Sequence, residues 1–308
     1  MPDRISLLCS CHGHQPIAVL AIDLVATRSL WRGEIMTNET KPSSKLRPPL
    51  SWYGGKFYLA PQIVAQLPPH RIYVEPYGGA ASVLLNKPPS PVEVYNDLNH
   101  GLYALFRTLR ENPQDLVQRL TVTPYDESTF AEALALLDDP QVSLLVRGWA
   151  FYVASRMSVA SGQSGYSYSV HQSRRGMAQC VSGWLSSIDD NLPRVIERLR
   201  EVQVMCRPAM ELIDRFDSQD TLFYLDPPYL PDTRVAHDQY THEMTREQHF
   251  ELSCRLSRLQ GKAVLSGYDC PDYARWYEKW RRVDIDVTCA ASVAGLKPRR
   301  VESLWFNF

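Results

Sequence analysis

Four residues, Asp226-Pro227-Pro228-Tyr229, follow directly on the apolar run Thr221 to Leu225. They set a carboxylate, a rigid carbonyl and an aromatic face at the end of an expected strand. An amino group on an aromatic ring is a poor nucleophile, because its lone pair is delocalised into the ring. Two acceptors on its hydrogens localise that pair and ready it for attack. Asp226 can supply one acceptor and the carbonyl of Pro227 the other, since Pro227 and Pro228 fix φ and remove backbone donors. Tyr229 adds a face on which a base can stack. In an open α/β sheet the carboxyl end of a strand is also where ligands bind. Taken alone, the same four residues would read as a plain Pro-Pro turn.

Two upstream blocks supply what such a corner needs. In Val74-Glu75-Pro76-Tyr77-Gly78-Gly79-Ala80-Ala81, continuing to Asn86, the spacing predicts a short strand, a glycine turn and a helix. The glycines allow close backbone approach to a ligand and positive φ. Glu75 ends that strand, and Asp97 follows a second one, Val92 to Asn96. An acid about 20 residues after a glycine turn is the arrangement that holds ribose hydroxyls. Carboxylates at both places disfavour a pyrophosphate and suit S-adenosylmethionine, which carries a sulfonium, an ammonium and a ribose. Asp97 would serve equally as a helix N-cap. Earlier still, Trp52-Tyr53-Gly54-Gly55-Lys56 precedes a helix-like stretch from Leu59 to Leu67. Lys56 can grip a carboxylate and Trp52 can cover an apolar ligand face; a solvated turn is the plainer alternative.

In this order, and with Val301 to Asn307 as a closing strand, these blocks resemble the Dam-like, D12-class (α group) family of DNA adenine-N6 methyltransferases over roughly residues 46–308. The resemblance implies an α/β fold, a Rossmann-like S-adenosylmethionine-dependent methyltransferase sheet with an inserted helical target-recognition domain. It implies a catalytic domain of residues 46–100 and 203–308 and a DNA-binding insertion of residues 101–202; residues 1–45 are expected as a disordered extension. Trp52, Tyr53, Gly54, Gly55, Lys56, Glu75, Pro76, Tyr77, Gly78, Gly79, Asp97 and Asp226 would line the cofactor, with Lys56 near its carboxylate and Asp97 on its ribose. Asp226, Pro227, Pro228 and Tyr229 would hold an adenine swung out of duplex DNA. One departure stands out: Ala81 occupies the place of the family's second glycine.

Between Asp97 and Asp226 lies chain that the cofactor fold does not need. Helical spacing runs over Leu98 to Leu120, Glu127 to Leu137, Val142 to Met157 and Leu185 to Val202. Ser158 to Gly183, rich in serine, glycine and tyrosine, carries or adjoins Arg156, His171, Arg174 and Arg175. A basic, aromatic segment of this kind can contact phosphates and base edges; from composition alone it reads as a surface loop. Thr233 to Thr245, with His237, Tyr240, His242 and Glu243, could close over an extruded base. Met244 to Leu259 and Tyr273 to Trp280 read as helices and Ala263 to Ser266 as a strand. Lys297, Arg299 and Arg300, expected between the last two strands, are further candidates for phosphate contact.

The 308 residues are 44% hydrophobic, enough for a sizeable core, and carry a formal charge of −1. Affinity for double-stranded DNA must therefore come from local patches. Seven cysteines, scattered along the chain, fit reduced thiols better than a disulfide framework. In the first 45 residues the run Ile17 to Ile22 is too short for a signal peptide. Cys9, Cys11, His12 and His14 lack a second ligand pair for metal, and Met36 could be an alternative start. No membrane contact and no metal are expected; a bacterial cytoplasm or that of a virus-infected host is. The protein is expected as a monomer or weak dimer, with a cognate restriction endonuclease as an open further partner. Alternatives are an amino-methyltransferase acting on cytosine N4, RNA or a protein amide, and a non-catalytic DNA-binding module on the same fold.

Overall fold

In β-strands successive side chains point to opposite faces, and here that alternation builds two cores. The strands are β1 (Ile72–Glu75), β2 (Val92–Asn96), β3 (Ser173–Arg174), β4 (Met177–Ala178), β5 (Val202–Met205), β6 (Thr221–Leu225), β7 (Lys262–Gly267), β8 (Arg281–Thr288) and β9 (Arg299–Phe306). Tyr73, Tyr95, Leu222, Tyr224, Val264, Leu304 and Phe306 face one core. Their neighbours Val74, Val94, Phe223, Leu225, Ala263, Leu265 and Trp305 face the other. The structure is a computed structural model and describes residues 45–159, 165–230, 233, 242–288 and 299–308.

The helices are α1 (Ala60–Val64), α2 (His100–Glu111), α3 (Pro113–Thr121), α4 (Glu127–Asp138), α5 (Leu144–Met157), α6 (Gln179–Ser186), α7 (Leu192–Leu199), α8 (Ala209–Phe216), α9 (Arg246–Leu256) and α10 (Pro271–Trp276). α1 to α7 contribute to the first core. Leu212 and Ile213 of α8, Leu252 and Leu256 of α9 and Tyr273 of α10 contribute to the second. The helices between β2 and β5 thus share a core with one sheet face, and residues 45–308 form one compact unit. α2 stacks Phe106 on Tyr95 of β2, with ring centroids 4.2 Å apart. Gly148 lets α5 approach α2 so closely that a Cβ there would sit 3.0 Å from the Ala104 carbonyl.

Among the described residues, seven strands form one sheet in the order β5-β2-β1-β6-β7-β9-β8. The first five run parallel, and β9 is antiparallel to both β7 and β8. The chain moves from β1 to β2 on one side and from β6 to β7 on the other, so a crevice opens over the carboxyl ends of β1 and β6. No helix of the described residues is long and apolar enough to cross a membrane.

Local chemistry explains where elements depart from their sequence periodicity. The helix expected after the glycine turn is a series of turns instead. Ala81 takes φ 58°, and Leu84 gives its N–H to the Glu75 carboxyl at 2.8 Å rather than to a helical carbonyl. A left-handed alanine costs about 1–2 kcal/mol; its wholly buried methyl returns roughly 0.8 kcal/mol, which is how alanine stands where glycine is usual. Asn112-Pro113 splits Leu98 to Leu120 into α2 and α3, since a proline suits a first helical turn and breaks an interior. A π-turn over Ser187–Asn191 separates α6 from α7, and β5 follows where helix had been expected to run on to Val202. Arg299 and Arg300 open β9 rather than lying between the last two strands. Lys297, residues 1–44 with their Cys9, Cys11, His12, His14 and Met36, and His237 and Tyr240 lie outside the described residues.

Asn96 staples the crevice wall. Its wholly buried amide donates to the carbonyls of Pro76 at 2.8 Å and Arg207 at 2.9 Å, and its Oδ1 accepts from Arg207 N at 2.8 Å. Asn96→Ala leaves these three backbone groups unsatisfied, and we expect a loss of about 2–4 kcal/mol. Urea unfolding checks this: an unchanged midpoint would remove the staple's role.

Candidate active site

The crevice is a cavity of about 410 Å³. Every residue assigned to the cofactor from the sequence lines it: Trp52 to Lys56, Glu75 to Gly79, Asp97 and Asp226. The glycine turns are shaped by close packing. Gly54, at φ 71°, completes a turn in which Gly55 N donates to the Trp52 carbonyl at 3.1 Å. A Cβ on Gly78 would lie 2.3 Å from the Tyr95 ring, and one on Gly79, at φ 48°, 3.0 Å from Trp52 Nε1. Asp97 accepts from Gly79 N at 2.9 Å and from Asn99 N at 2.8 Å. It therefore ties the turn to the start of α2, while Asn99 is the N-cap. Burial holds the Asp97 carboxyl above the usual range against those two bonds.

Glu75 is almost wholly buried, and its Oε1 accepts from the Tyr73 hydroxyl at 2.7 Å as well as from Leu84 N. Burial outweighs both bonds and pushes the carboxyl up to about 8. Below that pH Glu75 presents a proton, and a cationic ligand would have to displace it.

A charged cluster stands at the cavity wall and runs behind it. Lys56, 6% exposed, sets Nζ at 2.8 Å from both oxygens of Asp226, 2.9 Å from the Gly54 carbonyl and 3.7 Å from Glu302 Oε1. The Tyr229 hydroxyl bonds Glu302 and lies 3.1 Å from Asp226 Oδ1. Burial raises the Asp226 carboxyl above its ordinary value, with Lys56 opposing and Glu302 adding to the rise. Lys56 was expected beside a ligand carboxylate; in this structure it neutralises Asp226.

The tetrapeptide expected to be catalytic is divided. Asp226 and Pro228 line the cavity, whereas Pro227 is buried and Tyr229, 5% exposed, lies behind it with its ring edge-on to Tyr268 at 4.6 Å. Tyr229 presents no open face to the cavity. His242, Glu243 and Met244 also line it, as do Gln248, Glu251 and Leu252 of α9. α9 is fixed there by a Thr245–Gln248 capping box. Pro208 to Met210, after β5, form a further wall; they escaped the sequence reading because Val202 to Met205 is too short a run to separate from the preceding helix.

A family profile described as D12 class N6 adenine-specific DNA methyltransferase matches residues 52–137 and 161–290. The chain belongs to this family. The methyltransferase is 24% identical to the DNA adenine methylase of Escherichia coli (strain K12) over 270 residues, covering 83% of this chain and 92% of that protein. It is 24% identical over 283 residues to the type II methyltransferase M1.LlaDCHI of Lactococcus lactis subsp. cremoris, covering 80% and 90%. With the DNA adenine methylase of Vibrio cholerae El Tor it shares 26% over 200 residues, covering 62% and 68%. It is an enzyme of site-specific N6-adenine methylation in DNA.

The residues expected to meet DNA are placed apart. β3 and β4 form an antiparallel hairpin closed by Arg175 (φ 54°) and Gly176 (φ 75°), two consecutive positive φ values that match the strand twist. Arg174 and Arg175 are exposed on it, and His171 is exposed just before it. Arg175 donates to Ser186 Oγ at 2.8 Å and faces Asp190 at 3.6 Å. Arg156 is half-buried and donates to the Gly183 carbonyl at 3.1 Å, joining α5 to α6. Among the described residues no group of three or more His, Cys, Asp or Glu could hold a metal.

The raised Glu75 fixes the sign of a pH effect. Its folded value of about 8 lies above its ordinary 4.5, so the folded state keeps a proton that the unfolded state releases, and stability falls as pH rises between those values. Glu75→Gln mimics the protonated form. We expect its melting temperature relative to wild type to climb from pH 5 to pH 9; a constant difference would mean that Glu75 is ionised throughout.

Proposed function

We propose that the cavity binds S-adenosylmethionine and that Asp226 presents an extruded adenine to it. The observation that carries this reading is the convergence of Glu75, Asp97 and Asp226 on one cavity, beside glycine turns that a side chain would fill. Three carboxyl groups with Lys56 already engaged suit a ligand bearing cationic groups and hydroxyls better than a phosphate. Glu75 and Asp226 would face its cationic part, Asp97 its ribose, Trp52 its apolar side. When bound, that cofactor supplies a methyl carbon made electrophilic by the adjoining sulfonium.

The protein's own part is to prepare the nitrogen. Asp226 and the Pro227 carbonyl would accept the two amine hydrogens and localise the lone pair, and the carboxylate would stabilise the positive charge that develops there. Tyr229 would stack on the base once its ring is uncovered. Because the amine is unreachable inside a duplex, the base must swing out. The walls at His242 to Met244 and at Gln248 to Leu252 would exclude water from it.

We assign target recognition to the segment between β2 and β5. What supports this is the exposed hairpin with Arg174 and Arg175 at its turn, on a chain of net charge −1 whose DNA contacts must be local. Arg156 is then a support for the hairpin's base rather than a DNA contact. The bacterial relatives support action in a bacterial cytoplasm, and the type II methyltransferase among them supports a place in restriction-modification.

Two measurements test these assignments. Asp226→Ala should lower tritiated methyl transfer to unmethylated genomic DNA by about 10²–10³-fold or more while leaving DNA affinity nearly unchanged; full activity would end the assignment. Arg174→Ala should weaken DNA binding and reduce the slope of log affinity against log salt by about one. An unaltered slope would remove the hairpin from the interface.

A further inference from the structure

One buried carboxyl of the charged cluster has no part in the steps above. Glu302 is 4% exposed on β9, between β7 and β8. Its Oε1 accepts from the Tyr229 hydroxyl and from Ser266 Oγ at 2.6 Å, and stands 3.7 Å from Lys56 Nζ. Lys56 meanwhile covers both oxygens of Asp226 at 2.8 Å. An amine hydrogen approaching Asp226 therefore competes with the ammonium, and a buried ammonium parted from its counter-charge is costly.

We propose that Glu302 is a positioning residue of the methyl-transfer centre, anchoring the Tyr229 hydroxyl and offering Lys56 a second carboxyl so that Asp226 is released to the target amine. This rests on Asp226 being the amine acceptor. The groups that face the pair are Lys56 of the glycine turn, Glu75 of β1, Tyr224 of β6, Tyr229 after it and Tyr273 of α10. Of these neighbours, Lys56 lowers the proton affinity of Asp226, and Glu302 itself raises it.

The test is Glu302→Gln, which keeps the side-chain length and an acceptor oxygen but removes the carboxyl. Single-turnover transfer from tritiated S-adenosylmethionine to unmethylated genomic DNA is followed from pH 5.5 to 9, with cofactor affinity measured by equilibrium dialysis. We expect the plateau rate to fall at least about tenfold, as misplacement of a reacting group does, with cofactor affinity retained. The acid limb of the profile should move to lower pH, because a neighbour that raises Asp226 is gone. Glu302→Asp should keep the limb where wild type has it and recover part of the rate. A wild-type rate with an unmoved limb in Glu302→Gln would overturn the proposal, as would a rate loss matched by lost cofactor affinity at an unmoved limb. Should Glu302→Gln not fold, Glu302→Asp decides: a lower rate at unchanged cofactor affinity supports the role, and a wild-type rate overturns it. Asp226→Ala in the same assay separates the two failures. If that variant is active the acceptor assignment itself falls, and if it is inactive beside a fully active Glu302→Gln only the role of Glu302 does.

Discussion

Lys56 is an ammonium held between two carboxyl groups, 2.8 Å from the half-buried Asp226 and 3.7 Å from the buried Glu302. Charges taken out of water need partners in good geometry, or the desolvation cost exceeds their attraction. That requirement draws together parts of the chain that are far apart in sequence. The glycine turn must deliver Lys56, the end of β6 must deliver Asp226, and β9 must pass beside β7 to deliver Glu302. Such a cluster adds little to stability by itself; what it supplies is a fixed arrangement of acceptors in a medium of low dielectric, where each is worth more than in water.

The sheet makes the convergence possible. Strand alternation gives each face its own core, and three of the acids that line the crevice stand at strand ends. Glu75 closes β1, Asp97 follows β2 and Asp226 follows β6, all at the edge where the order of connection reverses. The glycine turn after β1 can then lie against Tyr95 and Trp52 without side chains of its own, leaving the volume above it open. The helices inserted after β2 pack on the same core as the sheet face, which gives the exposed hairpin between β3 and β4 a firm base through α5 and α6.

Parts of this were legible beforehand because they depend on near neighbours. The apolar run Thr221 to Leu225 read as a short buried strand, and Asp226-Pro227-Pro228 as a stiff exit from it. Of the twelve residues expected at the cofactor, ten sit in two short blocks with Asp97 and Asp226 apart from them, and all twelve line the cavity. Less was visible where long-range contacts decide. The helical reading after Gly79 failed because the Glu75 carboxyl of β1 takes the Leu84 N–H. β5 was hidden by its brevity, and with it the wall at Pro208 to Met210. The hairpin between β3 and β4 has strands too short to show alternation.

The sequence by itself determined the residue chemistry: an acceptor-bearing corner at a strand end, glycine turns for close approach, and acids whose types and spacing suit a cationic, ribose-bearing ligand. Those follow from residue types and local backbone preference, which act over a few positions. Only the tertiary structure decided which groups share a proton, an ammonium or a face. It turned Tyr229 inward onto Glu302, set Lys56 on Asp226, and buried Glu75 deeply enough to keep its proton to about pH 8. The reason is physical: hydrogen-bond partnership and desolvation depend on distances in space, and residues 170 positions apart meet only when the sheet has formed.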